Sequence, residues 1–249
     1  MILIKSPKEV EKIRASCRIV KETLDLLKTK IRPGISTKEL NKIGEEFICS
    51  KNAIPAFKGY MGYPAGVCTS VNDEIVHGIP SDRKLLETDI ISLDVGALLD
   101  GYYGDAARTF AVSSNISQEA KQLMKVTEES LELAVIAAKA GNRLYDISHA
   151  VQSHVEAQGY SVVREFVGHG IGASLHEDPQ IPNFGKPNTG IKLKPGMVLA
   201  IEPMVNVGSY EMEVLDDDWT AVTKDGSLSA HFEHTVYISD EKVEILDKV

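Results

Sequence analysis

From Pro7 onward, apolar side chains at Val10, Ile13, Cys17, Val20, Leu24, Leu27 and Ile31 recur at alternating steps of three and four. That spacing keeps them on one stripe of a helical surface and predicts an amphipathic helix, which Pro33-Gly34 ends. Ser36 followed three residues later by Glu39 forms a capping box, in which each side chain satisfies the other's unpaired backbone amide. It opens a second predicted helix with Leu40, Ile43 and Phe47 on its apolar face. The stretch from Asn52 to about Gly66, dense in Gly, Pro and Tyr, is predicted as loop.

The same order returns in the second half: a helical stretch from Ser117 to Lys139, a break at Ala140-Gly141, then a helix carrying Ile147, Ala150, Val151 and Val155. Shifted by 107, Leu24 falls on Leu131, Leu26 on Leu133, Gly34 on Gly141 and Leu40 on Ile147. Shifted by 108, the strand-like Ile90-Ile91-Ser92-Leu93-Asp94 falls on Val198-Leu199-Ala200-Ile201-Glu202. A duplicated unit of two helices plus sheet is therefore expected, giving an α+β fold in which Asp94 and Glu202 are symmetry mates. No Ser-, Gly- or Pro-rich linker separates the halves, so residues 1–249 are expected to form one domain with lobes at about 1–115 and 116–249. Active sites commonly sit between such lobes.

Composition narrows the class. The chain has 249 residues, 43% hydrophobic and 25% charged, which suits a globular protein with a large core. A formal charge of -9 argues against an extended basic surface for nucleic acid or anionic lipid. Cys17, Cys49 and Cys68 are odd in number and form no Cys-x-x-Cys pair, so neither a disulfide framework nor a thiolate zinc site is expected. A reducing cytoplasm is the expected compartment. The N-terminal Met-Ile-Leu-Ile is interrupted by Lys5, far short of a signal peptide's apolar segment, and no run approaches the ~18 apolar residues of a membrane span.

The chemistry begins with the segment from Ile90 to Val112, which reads as a β-hairpin turning at Asp100-Gly101. On one straight strand Asp94 and Asp105 would face opposite sides. Folding back through a two-residue turn pairs Asp94 with position 107 and leaves Asp105 on the same face as its diagonal neighbour. Asp94 alone reads as a hydrogen-bonded acid interrupting an apolar strand, and Asp105 alone as a turn or surface residue. Together on one face they are two like charges that are costly in a low dielectric without a cation. The second half supplies Gly168-His169-Gly170-Ile171-Gly172, His176-Glu177, Ile201-Glu202-Pro203 and His231-Phe232-Glu233-His234-Thr235, each weak singly.

Taken together with Ser70-Val71-Asn72, His77-Gly78-Ile79-Pro80 and Pro195-Gly196-Met197, these acids and histidines in this order resemble the methionine aminopeptidases, of the compact bacterial type within the pita-bread metallopeptidases. The resemblance covers nearly the whole chain. It implies the pita-bread fold, two pseudo-symmetric lobes with the active site between them, and an enzyme that removes the initiator methionine from nascent proteins and peptides, preferring a small, uncharged second residue. It implies two divalent cations: Asp94 chelating one, Asp105 and Glu233 bridging both, His169 and Glu202 completing the other. Four oxygen donors with one imidazole suit manganese, iron(II) or cobalt, with zinc also accommodated.

By the same resemblance, hydroxide held between the metals attacks the scissile carbonyl and Glu202 acts as general base. His176 stabilises the tetrahedral oxyanion, and His77 contacts substrate backbone and leaving group. The methionine pocket falls on Tyr60, Tyr63, Cys68 and Trp219, with Leu175 and Phe57 at edge positions where other members differ. Apart from the resemblance, Tyr60 and Tyr63 could pack a Gly-rich loop and Cys68 could be a small buried hydrophobe. His231, two residues before Glu233, would share its face on a strand; it reads as a partner of a bridging carboxylate or as a surface strand residue, with no catalytic role. His149 and His154 read as structural. A monomer that meets nascent chains near the ribosome is expected, although no docking motif is visible.

Three rivals remain. Proline-specific pita-bread peptidases would share the five ligands, but they carry a substantial N-terminal domain for which a first helix beginning by about Pro7 leaves no room. The larger type of methionine aminopeptidase carries an inserted helical segment that this length cannot hold. A non-catalytic binding module would have lost ligands, whereas all five positions are filled.

Overall fold

The structure, a computed structural model, describes residues 2–248. Ser6 accepts from the Glu9 amide and Glu9 answers at the Ser6 backbone, so α1 (Pro7–Lys28) starts from a capping box with proline at its first position. The helix ends at Lys28, one turn before Ile31, because Thr29 already folds its amide back onto Leu26 and Leu27. The expected box at Ser36 and Glu39 opens α2 (Thr37–Ser50). Two short strands, β1 (Ile54–Pro55) and β2 (Val67–Val71), flank the Gly- and Tyr-rich loop, and β3 (Glu74–Val76) follows.

The hairpin is β4 (Ile90–Leu99) and β5 (Tyr102–Ala111), turning at Asp100 and Gly101, both with positive φ, as a tight two-residue turn requires. Its register pairs Asp94 with Ala107 and Gly96 with Asp105, the diagonal arrangement expected from sequence. The second half opens with α3 (Gln118–Ala137), capped by Ser117, and α4 (Leu144–Ala157). Strands β6 (Ser161–Val162), β7 (Val167–Gly170), β8 (Glu177–Pro182), β9 (Val198–Ile201) and β10 (Met204–Asn206) come next. The chain closes with β11 (Met212–Val214), β12 (Ala221–Thr223), β13 (Ser229–His231), β14 (His234–Ile238) and β15 (Val243–Ile245).

Every pairing between these strands is antiparallel. The first half builds a sheet of β1, β4 and β2 with β5 on β4; the second builds β15-β14-β9-β7-β8 and β13-β10-β6. A fourth sheet, β11-β12-β3, takes strands from both halves. One core lies between α1, α2 and the first sheet, around Leu24, Leu27, Leu40 and Val67. Another lies under α3 and α4, around Leu131, Ile147, Val151 and Leu199. Full burial of a leucine contributes about 1.5–3 kcal/mol, so these stripes do most to fix the helices.

Helix α1 lies unusually close to the hairpin. A Cβ on Gly104 would stand 2.5 Å from the backbone nitrogen of Cys17 and 2.8 Å from the carbonyl carbon of Ser16. The Ser16 hydroxyl donates to Tyr102 O at 2.8 Å. A third apolar cluster joins Val10, Ile13 and Cys17 of α1 to Phe57, Tyr63 and Cys68 and to Ile171, Leu175 and Val198 of the second half. It forms the wall on which the candidate site is built.

Candidate metal centre and substrate cavity

Asp94 and Asp105 project from the hairpin, and the second half is stitched to them by backbone. The Glu233 amide donates to Ala107 O at 2.9 Å. Thr235 Oγ1 donates to Asp105 O at 2.7 Å and accepts from the Asp105 amide at 3.3 Å. His169 comes from β7, where its register partners are Gln180 on β8 and Ala200 on β9, and Glu202 follows the end of β9. A Cβ on Gly168 would lie 2.5 Å from Ala200 O, so glycine beside His169 lets β7 lie flush on β9.

One ligand-type atom from each of Asp105, His169 and Glu233 lies within 4.8 Å of the others, and all three residues are buried. His169 Nδ1–H donates to Gly170 O at 2.9 Å, which leaves the Nε2 lone pair free to face the acids, 3.7 Å from Glu202 Oε1. Asp94 Oδ1, Asp105 Oδ1 and Glu233 Oε1 are buried with no hydrogen-bond partner. Native interiors rarely leave such atoms unsatisfied. Burial pushes all four carboxyls up; the Asp94 charge raises Asp105 and Glu202 further, and the charges of Asp105, Glu202 and Asp94 raise Glu233. Burial also lowers the His169 imidazole to about 3, with neighbouring His176 adding to it, so the ring is neutral and able to ligate. Hard oxygen donors with one neutral imidazole fit a divalent cation, and three orphaned oxygens are what such an ion would satisfy.

A cavity of about 160 Å³ opens above these acids. That is well under the ~300–1,000 Å³ of ordinary ligand pockets and suits a single side chain. All the residues expected to bind substrate line it: Tyr60, Tyr63, Cys68, His77, Leu175, His176 and Trp219, with Phe57 beside them. Tyr63 donates to Gly78 O at 2.8 Å and meets Trp219 edge-on at 5.2 Å. Tyr60 and Tyr63 belong to the Gly-rich loop and also line this cavity, and Cys68, register partner of Asp94, is both buried and part of the same lining. A groove of about 710 Å³ elsewhere, between α1 and α3 over β5, is larger, but its lining mixes apolar Phe110, Leu131 and Phe232 with Lys21, Lys28, Glu128 and Glu132 and includes none of the five candidate ligands.

His176 sits at the mouth. Its Nδ1 shares a 2.8 Å hydrogen bond with the Tyr60 hydroxyl, and its ring meets His169 edge-on at 4.3 Å. Burial lowers its pKa, which keeps it neutral. His77 adopts a left-handed φ of 60° directly after β3, which turns its ring towards Phe166 (5.0 Å) and Trp219 (6.3 Å). Burial and then His176 bring its pKa down to about 4.

His231 departs from the surface alternative: it is buried, and Phe232 and Glu233 lie outside both β13 and β14, so the simple same-face argument does not apply. Its Nε2 stands 3.7 Å from Glu202 Oε2 and has no hydrogen-bond partner, so its neighbour is Glu202 rather than Glu233. His149 and His154 lie on α4, where His154 meets Glu129 at 3.3 Å.

Three contributors escaped the sequence reading. Asp217 accepts from the amides of Trp219 and Thr220 at 2.9 and 2.7 Å and from the Thr220 hydroxyl at 2.6 Å, which fixes the turn that presents Trp219. An Asp two residues before Trp is an Asx-turn signal that could have been read. Met61, with φ 49° and four-fifths exposed, lines the cavity edge. Gly96 makes room for Phe57: a Cβ there would stand 2.6 Å from Phe57 Cε1.

Comparison with known proteins places this geometry. The sequence profile of metallopeptidase family M24 matches residues 11–240. Methionine aminopeptidase 1 of Bacillus subtilis is 56% identical over 249 residues, covering all of both chains. The methionine aminopeptidase of Clostridium acetobutylicum is 56% identical over 247 residues, 99% of this chain and 98% of its own. The crystal structure of methionine aminopeptidase from Thermotoga maritima superposes with a TM-score of 0.98 at 48% identity, covering both chains fully. Prolidase from Pyrococcus furiosus shares the fold at a TM-score of 0.79 and 23% identity, but this chain spans only 65% of it. The α+β pita-bread fold is thereby established, and the chain belongs to metallopeptidase family M24, in its methionine aminopeptidase branch, as a metal-dependent hydrolase.

Proposed function

We propose that the chain removes the initiator methionine from nascent proteins and peptides with a small, uncharged second residue, as one catalytic domain with lobes at about 1–115 and 116–249. The observation that carries this reading is the meeting of three orphaned carboxylate oxygens and a neutral imidazole at the floor of a cavity sized for one apolar side chain. Asp94, Asp105, His169, Glu202 and Glu233 would hold two divalent cations, since four carboxylates carry about -4 and two such ions about +4. Manganese, iron(II), cobalt or zinc all suit the donor set. Bound there, the cations supply Lewis-acid activation of water and of the scissile carbonyl.

The chain's own groups do the rest. Tyr60, Tyr63, Cys68, Leu175 and Trp219 enclose the methionine side chain, whose thioether gains from aromatic neighbours. Glu202, whose carboxyl is raised by burial, takes up a proton from the attacking water and passes it to the leaving amine. His176, neutral and tied to Tyr60, offers a ring N–H to the oxyanion at the scissile carbon. His77, neutral and held by Phe166 and Trp219, contacts the substrate backbone on the leaving-group side. We assign the reaction to the cytoplasm, on chains emerging from the ribosome, and to a monomer.

Release of methionine from Met-Ala-Ser and Met-Gly peptides, with and without divalent metal, tests the assignment. Metal-dependent methionine release is expected. Cleavage next to proline without methionine release would move the chain to the proline-specific peptidases that share its fold.

A further inference from the structure

The segment before α1 inverts the usual pattern of burial. Leu3 and Ile4 are 50% and 52% exposed, whereas Lys5 is only 6% exposed. Lysine is almost never buried to that extent without a partner. Here the Lys5 backbone amide donates to Gly196 O at 2.7 Å, and the Lys5 ammonium bonds Glu177, with side chains 4% and 6% exposed respectively.

Glu177 is not an isolated partner. Its Oε1 accepts from the Ser174 amide at 3.2 Å, while the Gly172 amide donates to Ser174 O at 3.1 Å. Gly172 O in turn accepts from the Tyr103 amide at 2.8 Å. The ion pair packs directly on Gly172, where a Cβ would stand 2.7 Å from Glu177 Oε1. Residues 172–177 are thus drawn into a closed loop around the Lys5–Glu177 pair, and the loop carries Leu175 and His176 on its way to β8.

We infer that Lys5 is a positioning residue for His176: its buried ammonium, acting through Glu177, sets the loop that points the His176 ring into the cavity. The physical asymmetry supports a specific coupling rather than general adhesion. A buried pair adds little stability over an apolar pair of the same shape, but loss of one member leaves a buried charge that its surroundings must move to solvate. Because Glu177 Oε1 is tied to the Ser174 amide, any shift of the carboxylate pulls on the turn that bears His176. A displacement of about 1 Å at a positioned group can cost on the order of 100-fold in rate.

The inference rests on the proposed role of His176, so the test separates the two. Metal-saturated wild type, Lys5→Met, His176→Ala and the double variant are compared on Met-Ala-Ser, with metal content measured for each. Lys5→Met should lower kcat by roughly 10- to 100-fold while KM moves little and metal content holds. In the His176→Ala background the same substitution should change kcat by less than about twofold, because the group it acts through is gone. An equal loss in both backgrounds, or no loss from Lys5→Met, overturns the coupling. Undiminished turnover in His176→Ala alone overturns the role of His176 instead. Lys5→Gln, which keeps a donor but drops the charge, goes through the same cycle if Lys5→Met does not fold, with the same outcomes deciding.

Discussion

Replacing Asp105 with asparagine should stabilise the metal-free protein even as it removes a proposed ligand. Asp105 is buried, and its Oδ1 lacks a hydrogen-bond partner. Burial first, then the charges of Asp94 and Glu202, raise its pKa well above the usual carboxylate range. Ionising a group costs the fold about 1.4 kcal/mol for each unit by which its folded pKa exceeds the unfolded one. Asparagine keeps the shape, carries no charge and brings amide hydrogens to facing carboxylates, so a gain of roughly 1–3 kcal/mol is expected in neutral to mildly alkaline buffer. At about 2–4 °C per kcal/mol for a chain of this size, several degrees of Tm should result.

The sign follows from linkage. Below the unfolded aspartate value of about 3.9 the carboxyl is protonated in both states and the two proteins should melt alike. The gain opens as pH rises past that value and is complete above the folded pKa. His169 and His231, both lowered to about 3 chiefly by burial, titrate the other way but do so in both proteins, so they cancel in the difference. Thermal melts in chelator across this range, repeated with saturating manganese, check the reasoning. With metal the order should reverse, because only the wild type gains the full binding free energy. An Asp105→Asn protein that melts at or below wild type in alkaline chelator would show that the acids are not crowded in the folded state.

Two other substitutions probe the wall and the scaffold. Trp219→Ala should remove the edge-on partner of Tyr63 and reduce the preference for methionine over leucine by about tenfold; equal kcat/KM ratios on Met-Ala-Ser and Leu-Ala-Ser before and after substitution would put the pocket elsewhere. Gly104→Ala should force α1 off the hairpin and cost about 1–3 kcal/mol or more, read as a lower denaturant midpoint, since its Cβ would meet the Cys17 backbone at 2.5 Å. An unchanged midpoint would contradict the close docking of α1.

Local chemistry was the legible part of the sequence. Asp100-Gly101 specified both the turn and its register, and the register put Asp105 diagonal to Asp94. Capping serines mark three of the helix starts, at Ser6, Ser36 and Ser117, and at Ser6 the apolar stripe is the more conspicuous signal. What periodicity could not give was long-range placement. His231 was ambiguous because a two-residue offset means one face only while a strand continues, and the chain leaves β13 before Glu233. Lys5 looks in the sequence like no more than a charge that interrupts an apolar run, because its partner is 172 residues away. The proposed five-residue set is reachable only through resemblance, because no spacing rule joins residues 94 and 233.

The acids lie at the floor of the same small chamber whose walls are Tyr60, Tyr63, Leu175 and Trp219. On the proposed function, cations and peptide would therefore share one doorway. A chain end lodged in the chamber blocks the passage by which ions come and go, so saturating peptide should slow exchange with free chelator, and the enzyme at work would keep its ions longer than the enzyme at rest.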